Sequence, residues 1–140
     1  GAVLIPGAIT PKLIRREHLK IMKQGAVIVD IAIDQGGCCE TSVETTHDNP
    51  VFIVDGVVHY CVGNMPGAVP RTSTVALANT TLPYGLMIGD LGLEKACESD
   101  PGLAKGVNIY EGVCVNRNVA SSLGLECTPC SEAMAGRAAL

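Results

Sequence analysis

Short unbroken apolar runs, each stopped by turn residues, restrict the fold of this chain more than any other feature. Ala2-Val3-Leu4-Ile5 ends at Pro6-Gly7, and Ala26-Val27-Ile28-Val29-Asp30-Ile31-Ala32 runs into Asp34-Gln35-Gly36-Gly37. Runs this short, without polar alternation, suit parallel strands buried on both faces. Between them, residues 11–23 set Ile14, Leu19 and Met22 among charged residues. That spacing predicts a short amphipathic helix, with Gly25 as its left-handed cap. A polar loop over 38–50 follows, closed by Asn49-Pro50. Then Val51-Phe52-Ile53-Val54 and Val57-Val58-His59-Tyr60-Cys61-Val62 flank Asp55-Gly56, a strong hairpin signal. Strand, helix, strand and hairpin make the closing half of an α/β sheet. Ligands of such sheets sit beyond the carboxyl ends of the strands. Here those ends are Pro6-Gly7, Asp34-Gln35-Gly36-Gly37 and Gly63-Asn64-Met65-Pro66. One carries a carboxylate and one an amide, the floor expected of a nucleotide site.

From residue 69 the apolar spacing becomes helical: among Val75, Leu77, Ala78, Leu82, Leu86 and Ile88, the steps Val75 to Ala78, Ala78 to Leu82 and Leu82 to Leu86 are three or four residues. Pro83 lacks a backbone donor and is expected to kink or split this helix. A second helical stretch is expected over 93–98, interrupted by Asp100-Pro101-Gly102. A short strand pair is expected over 107–115 about Glu111-Gly112, and a last helix over 117–123 capped by Gly124. Residues 125–140, small and polar, read as a loose tail. The expected organisation is therefore 1–69, 70–124 and 125–140.

Composition narrows the class. A chain of 140 residues that is 47% hydrophobic can bury a core, and its net charge of −4 shows no block of like charges to grip nucleic acid. No apolar stretch approaches the ~18 residues of a membrane span, and no basic leader precedes the first apolar run. Seven irregularly spaced cysteines suit free thiols in a reducing compartment, so a cytoplasmic protein is expected. The chain opens on an apolar run without a methionine, which suggests a piece of a longer molecule.

No G-x-G-x-x-G and no phosphate-loop motif occurs. A Rossmann-type domain would hold the pyrophosphate on such a turn at a helix start, so that unit is expected upstream. Two segments do carry a specific likeness. The first reads Gly-Ala-Val-Leu-Ile-Pro-Gly from residue 1, Pro-Lys-Leu-Ile from Pro11, and Met-Lys-Gln-Gly-Ala-Val-Ile-Val-Asp-Ile-Ala-Ile from Met22, continuing through Asp34-Gln35-Gly36-Gly37-Cys38. The second is His59-Tyr60-Cys61-Val62-Gly63-Asn64-Met65-Pro66-Gly67-Ala68-Val69-Pro70-Arg71-Thr72-Ser73-Thr74. From residue 1 to about 124 the chain resembles the carboxy-terminal part of alanine dehydrogenases. The first segment would also suit the related NAD-binding subunit of proton-translocating transhydrogenase, and the second favours alanine dehydrogenase.

The resemblance implies an α/β fold: the second half of a Rossmann-like NAD-binding domain, followed by a helical segment belonging to the catalytic domain. It implies reversible, NAD-dependent oxidative deamination of L-alanine to pyruvate and ammonia, without a metal, by a homo-oligomer, usually a hexamer. Matched residue by residue, Val3 and Leu4 should line the adenosine and ribose side of the cofactor. Ile31 and Val62 should pack near the nicotinamide ribose, and Met65 should touch the cofactor by its backbone. Asp34, also at the cofactor, and Asn64 should face the reacting centre. The family's catalytic lysine and histidine, its substrate-binding arginine and its glycine-rich loop match nothing in these residues and are expected upstream. A missing amino-terminal part of the same enzyme is thus the expected partner, with no nucleic acid and no membrane.

Other residues read as structural. His59 lies within an apolar strand and is expected to be a satisfied core histidine. His18 is expected on a solvated helix face and His47 in a loop. Asp30, inside a strand, is expected to be a paired structural carboxylate capping a neighbouring backbone group. Cys127-Thr128-Pro129-Cys130 is a C-x-x-C, but no second ligand pair with zinc spacing follows it. The rival from a different class is a non-catalytic truncated product or interaction module using this C-x-x-C. A glycine-rich strand-turn-helix encoded in frame upstream would favour the enzyme, and a start codon at Gly1 the module.

Overall fold

The computed structural model describes residues 1–137. The chain forms two compact units, Gly1–Pro70 and Arg71–Leu140.

In the first unit a three-stranded sheet is built from β1 (Val27–Val29), β2 (Val51–Val54) and β3 (Val57–Tyr60), in the order β1-β3-β2. β3 runs parallel to β1 and antiparallel to β2. The hairpin forms where Asp-Gly stands: Asp55 and Gly56 both take positive φ, 50° and 80°, the turn whose twist matches its strands. Cross-strand register puts Ile28, His59 and Phe52 in line, and Val57 opposite Val54. This face holds the core, in which Leu19, Ile28, Cys39 and Val57 are buried and Ile14, Met22, Ala26 and Val54 pack around them. On the opposite face Val27, Val29, Val51 and Ile53 stay exposed. The strands are thus buried on one face only, not on both as their apolar runs suggest.

Four further expectations are corrected. Residues 2–5 form no strand. Only Gly1 joins the ladder, its amine donating to the Val29 carbonyl and its carbonyl accepting from the Ile31 amide. Of the helix expected over 11–23, only α1 (Arg16–Leu19) forms. The backbone of Ile14 is drawn sideways into a bridge with Cys39, which excludes it from a helix. Gly25, at φ 76°, turns the chain into β1 and does not cap α1, whose cap is Lys20. The strand expected over 26–32 stops at Val29, because the Asp30 carboxylate accepts from the Ala32 amide and starts a 3-10 turn, Ile31–Gln35.

The second unit begins with α2 (Pro70–Leu91), which continues unsplit through Pro83. A proline removes one donor, and a long helix can absorb that loss. No residue of α2 is buried. After it come α3 (Leu93–Ser99) and α4 (Pro101–Gly106), the latter started by the Asp100 carboxylate on the Gly102 and Leu103 amides. A hairpin of β4 (Ile109–Tyr110) and β5 (Val113–Cys114) turns at Glu111-Gly112, both with positive φ. Asn116 caps α5 (Arg117–Leu123), and Gly124 ends it at φ 67°. Ala96, Cys97, Tyr110, Cys114, Val115 and Ala120 are buried in this unit. Within the segment read as a tail, residues Cys130–Arg137 form a helix, α6.

Candidate active site at the carboxyl ends of β1 and β3

Because β1 and β3 are parallel neighbours, the turns that follow them emerge side by side. The first is the 3-10 turn Ile31–Gln35, which ends at Gly36 and Gly37 with φ 91° and 73°. The second runs through Cys61-Val62-Gly63 to Asn64, a non-glycine residue at φ 51° and ψ 54°. Asp34 and Asn64 meet there: Asp34 Oδ1 accepts the Asn64 amide at 2.9 Å. Both residues are exposed. On its other side the Asn64 carbonyl lies 3.1 Å from His47 Nε2, which donates to it. Asn64 is therefore held in left-handed geometry by a carboxylate on its N–H and an imidazole on its C=O.

The remaining site candidates fall around this pair by varied routes. Ile31 opens the 3-10 turn, exposes 58% of its surface, and donates its amide to Gly1. Leu4, exposed, and Val3, half-buried, lie in the irregular segment that leads from Gly1 to Pro6-Gly7. Val62 is fully buried, in a bridge with Thr45, so its side chain faces the interior. Met65, half-buried, opens a second 3-10 turn, Met65–Ala68.

Beneath the Asp34 turn lies Asp30, fully buried at the end of β1. Oδ1 accepts the Ala32 amide at 3.2 Å and the Cys38 thiol at 3.4 Å. Oδ2 takes the Cys38 amide at 2.8 Å, the Cys39 amide at 3.1 Å and the Ser42 hydroxyl at 2.6 Å. Burial pushes this carboxyl up, but the hydrogen bonds from Ser42, Cys39 and Cys38 outweigh it and hold it below the ordinary aspartate range. Burial, followed by the bond to Asp30 and its negative charge, pushes the Cys38 thiol up. The expectation of a structural, backbone-capping Asp30 matches this geometry, and its span, from Ala32 to Ser42, exceeds a single cap.

His59 is likewise structural. Its Nδ1 lies 3.0 Å from the Val57 carbonyl, which can only accept, so the proton sits on Nδ1. Nε2 meets the Thr41 hydroxyl at 2.8 Å, and the ring stacks on Phe52 at 5.0 Å. His18, expected on a solvated helix face, is exposed beside Glu17. All seven cysteines are free thiols, and the five outside the Cys127–Cys130 pair, Cys38, Cys39, Cys61, Cys97 and Cys114, are buried. Cys130 lines a groove of about 640 Å³ within the second unit, with Cys97, Ala104 and Met134. Among the described residues no group of three or more His, Cys, Asp or Glu side chains converges to hold a metal, and no helix is long and apolar enough to cross a membrane.

Two residues of the site escape sequence reasoning. Lys12, whose Nζ donates to the Gly36 and Gly37 carbonyls, carries no motif of its own. His47 reads as a loop residue, and only the fold sets it against Asn64.

Comparison with known proteins places this chain in a family. The family model described as alanine dehydrogenase/PNT, C-terminal domain, matches residues 1–117. Alanine dehydrogenase of Halomonas elongata is 58% identical over 126 residues, covering 90% of this chain and 34% of the relative. That of Mycolicibacterium smegmatis is 53% identical over 135 residues, covering 96% of this chain and 36% of the relative. The chain thus spans about a third of the length of the curated relatives it matches. Among solved structures, an L-alanine dehydrogenase superposes with a TM-score of 0.68 at 49% identity, over 89% of this chain and 34% of that one. A transhydrogenase from Sinorhizobium meliloti gives 0.57 at 28% identity, over 83% of this chain and 30% of that one. With the family model matched over most of its length, the chain belongs to the alanine dehydrogenase/PNT C-terminal domain family.

Proposed function

We propose that this chain forms part of an NAD-dependent alanine dehydrogenase, which converts L-alanine to pyruvate and ammonia and runs the reverse amination. The observation that carries the reading is the meeting of Asp34 and Asn64 at the carboxyl ends of two parallel strands, where α/β sheets bind ligands. The gap between 49% and 28% identity to the two solved relatives favours the alanine reaction over transhydrogenation. In this reading residues 1–69 are the second half of the nucleotide-binding domain, and 70–124 lead into the catalytic domain. The whole enzyme is a homo-oligomer, a hexamer by family likeness, in the reducing cytoplasm that free thiols suit.

The residues present fit NAD. Exposed apolar Leu4 offers surface on the adenosine and ribose side and exposed Ile31 near the nicotinamide ribose, and an exposed carboxylate suits a cationic nicotinamide. Val3 accompanies Leu4, while Val62 and Met65 support the second turn, Met65 offering its backbone. When bound, NAD supplies the hydride acceptor. Asp34 does the electrostatic work: amine oxidation passes through an iminium, and a fixed carboxylate offsets its charge and orients the amino group or a water. Asn64 fixes the carboxylate through its backbone amide and presents a side-chain amide beside it.

The test uses a full-length alanine dehydrogenase carrying these 140 residues in its matching segment. NADH formation from L-alanine is followed for the parent and for Asp34→Asn, which keeps size and removes charge. Turnover should fall at least ~100-fold, the magnitude of losing one preorganised electrostatic group, with the melting temperature nearly intact. Turnover within a few-fold of the parent would make Asp34 structural and overturn the assignment.

A further inference from the structure

The turn that carries Asp34 is braced from two sides by opposite charges. Inside, Asp30 collects amides: those of Ala32, Cys38 and Cys39. Outside, the Lys12 ammonium collects carbonyls. Its Nζ donates to Gly36 O, and to Gly37 O at 2.9 Å. Gly36 caps the 3-10 turn and Gly37 follows it, at the end where backbone carbonyls lack an intrahelical partner and attract a cation. Two successive glycines at positive φ leave the chain wide conformational freedom. The neighbours of Lys12 are tied to the same loop, since the Thr10 amide donates to Gln35 O at 2.9 Å and the Leu13 amide to Cys38 O at 2.8 Å. The lysine stem therefore leaves a strip of backbone already fastened along the Asp34 turn.

We infer that Lys12 is a positioning residue for the reaction: it clamps the carbonyls of Gly36 and Gly37 and thereby aims the Asp34 carboxylate at Asn64 and the reacting centre. It acts through backbone and touches no reacting atom. The inference rests on the reading of Asp34 given above. Misplacement of a catalytic group by about 1 Å can cost ~100-fold, and releasing one side of a two-sided brace should cost part of that.

The experiment compares Lys12→Met, which keeps the stem and removes the donors, with Lys12→Arg, which keeps charge and donors, in the same full-length enzyme. Steady-state constants, melting temperature and amide hydrogen exchange over residues 34–39 are measured. Lys12→Met should lower kcat at least ~10-fold and speed exchange over 34–39, with KM for NAD within about twofold. Lys12→Arg should recover most of the loss. In an Asp34→Asn background the Lys12→Met change should cost less than about twofold, because both act on one group. A kcat within about twofold of the parent, or a full penalty persisting without Asp34, overturns the inference. Asp34→Asn alone is measured separately. If it is silent, the functional reading of Asp34 falls; faster exchange in Lys12→Met then still supports the brace, and unchanged exchange overturns it.

Discussion

Asp30 and Asp34 stand four positions apart and have opposite fates, which follow from what each carboxylate can reach. Asp30 points into the unit and accepts the amides and hydroxyl of its own loop, while Asp34 stands on the outer side of the turn with Asn64. Replacing Asp30 by Asn turns an acceptor of N–H groups into a mixed donor and acceptor among donors. Hydrogen bonds to charged groups are each worth about 1.5–3 kcal/mol, and not all are lost, so Asp30→Asn should destabilise the protein by ~2–4 kcal/mol in denaturant unfolding. The pH dependence has a definite sign. The folded carboxyl titrates below its unfolded value of ~3.9, so its stabilisation is present above that pH and lost as pH falls through the lowered folded value. Asp30→Asn should flatten the stability profile in that acid window. An unchanged profile would mean that Asp30 contributes no net charge stabilisation. The sequence marks Asp30 as a carboxylate in an apolar strand, but its partners at Cys38, Cys39 and Ser42 lie across a loop that no local pattern specifies.

The elements that formed as their residues suggest are those fixed by local chemistry. Both hairpins turn where an acidic residue precedes glycine, and Asn116 and Gly124 bound α5. The elements that differ are those where distant backbone competes: Ile14 is taken from a helix by Cys39, and β1 is cut short by the Asp30 side chain. Residues 130–137 form a helix although their composition reads as a tail. Asp34 with Asn64 could be read as strand-end residues, but Lys12 and His47 could not, since their bonds span the fold. Two glycines of similar φ separate the local from the distant contribution. Gly112, at φ 81°, has open space where a Cβ would stand, so Gly112→Ala should cost only backbone strain, about 1–2 kcal/mol. Gly37, at φ 73°, would set its Cβ 2.8 Å from Asp30 Oδ2 and 2.9 Å from Ser42 Cβ. Gly37→Ala should therefore cost clearly more in unfolding free energy, and should also lower turnover, because the clash falls on the anchor of the Asp34 turn. Equal costs at the two positions would show that the anchor yields freely.

Apolar pattern tells which surfaces are to be covered and is silent on what covers them. Val27, Val29, Val51 and Ile53 share one face of the sheet by register, and they remain exposed, with Ile53 showing 69% of its surface. On α2, Val75, Leu77, Leu82 and Leu86 are exposed too. An apolar sheet face left exposed in this way marks a contact site. The chemistry is incomplete in the same sense: the site offers a carboxylate and apolar contacts, whereas no glycine-rich turn for a pyrophosphate occurs in the 140 residues. In the function proposed above, cofactor affinity rests largely on such a cradle, and Asp34 stabilises a developing charge only where the amine and nicotinamide are already held. These 140 residues produced alone should therefore give no saturable NADH formation from L-alanine. They should also bind a hydrophobic dye or self-associate, and the same segment within a full-length alanine dehydrogenase should do neither. Saturable turnover by the isolated chain would overturn the reading of this site as one part of a larger active centre. A dye-silent monomer would show that the bare sheet face and α2 need no partner.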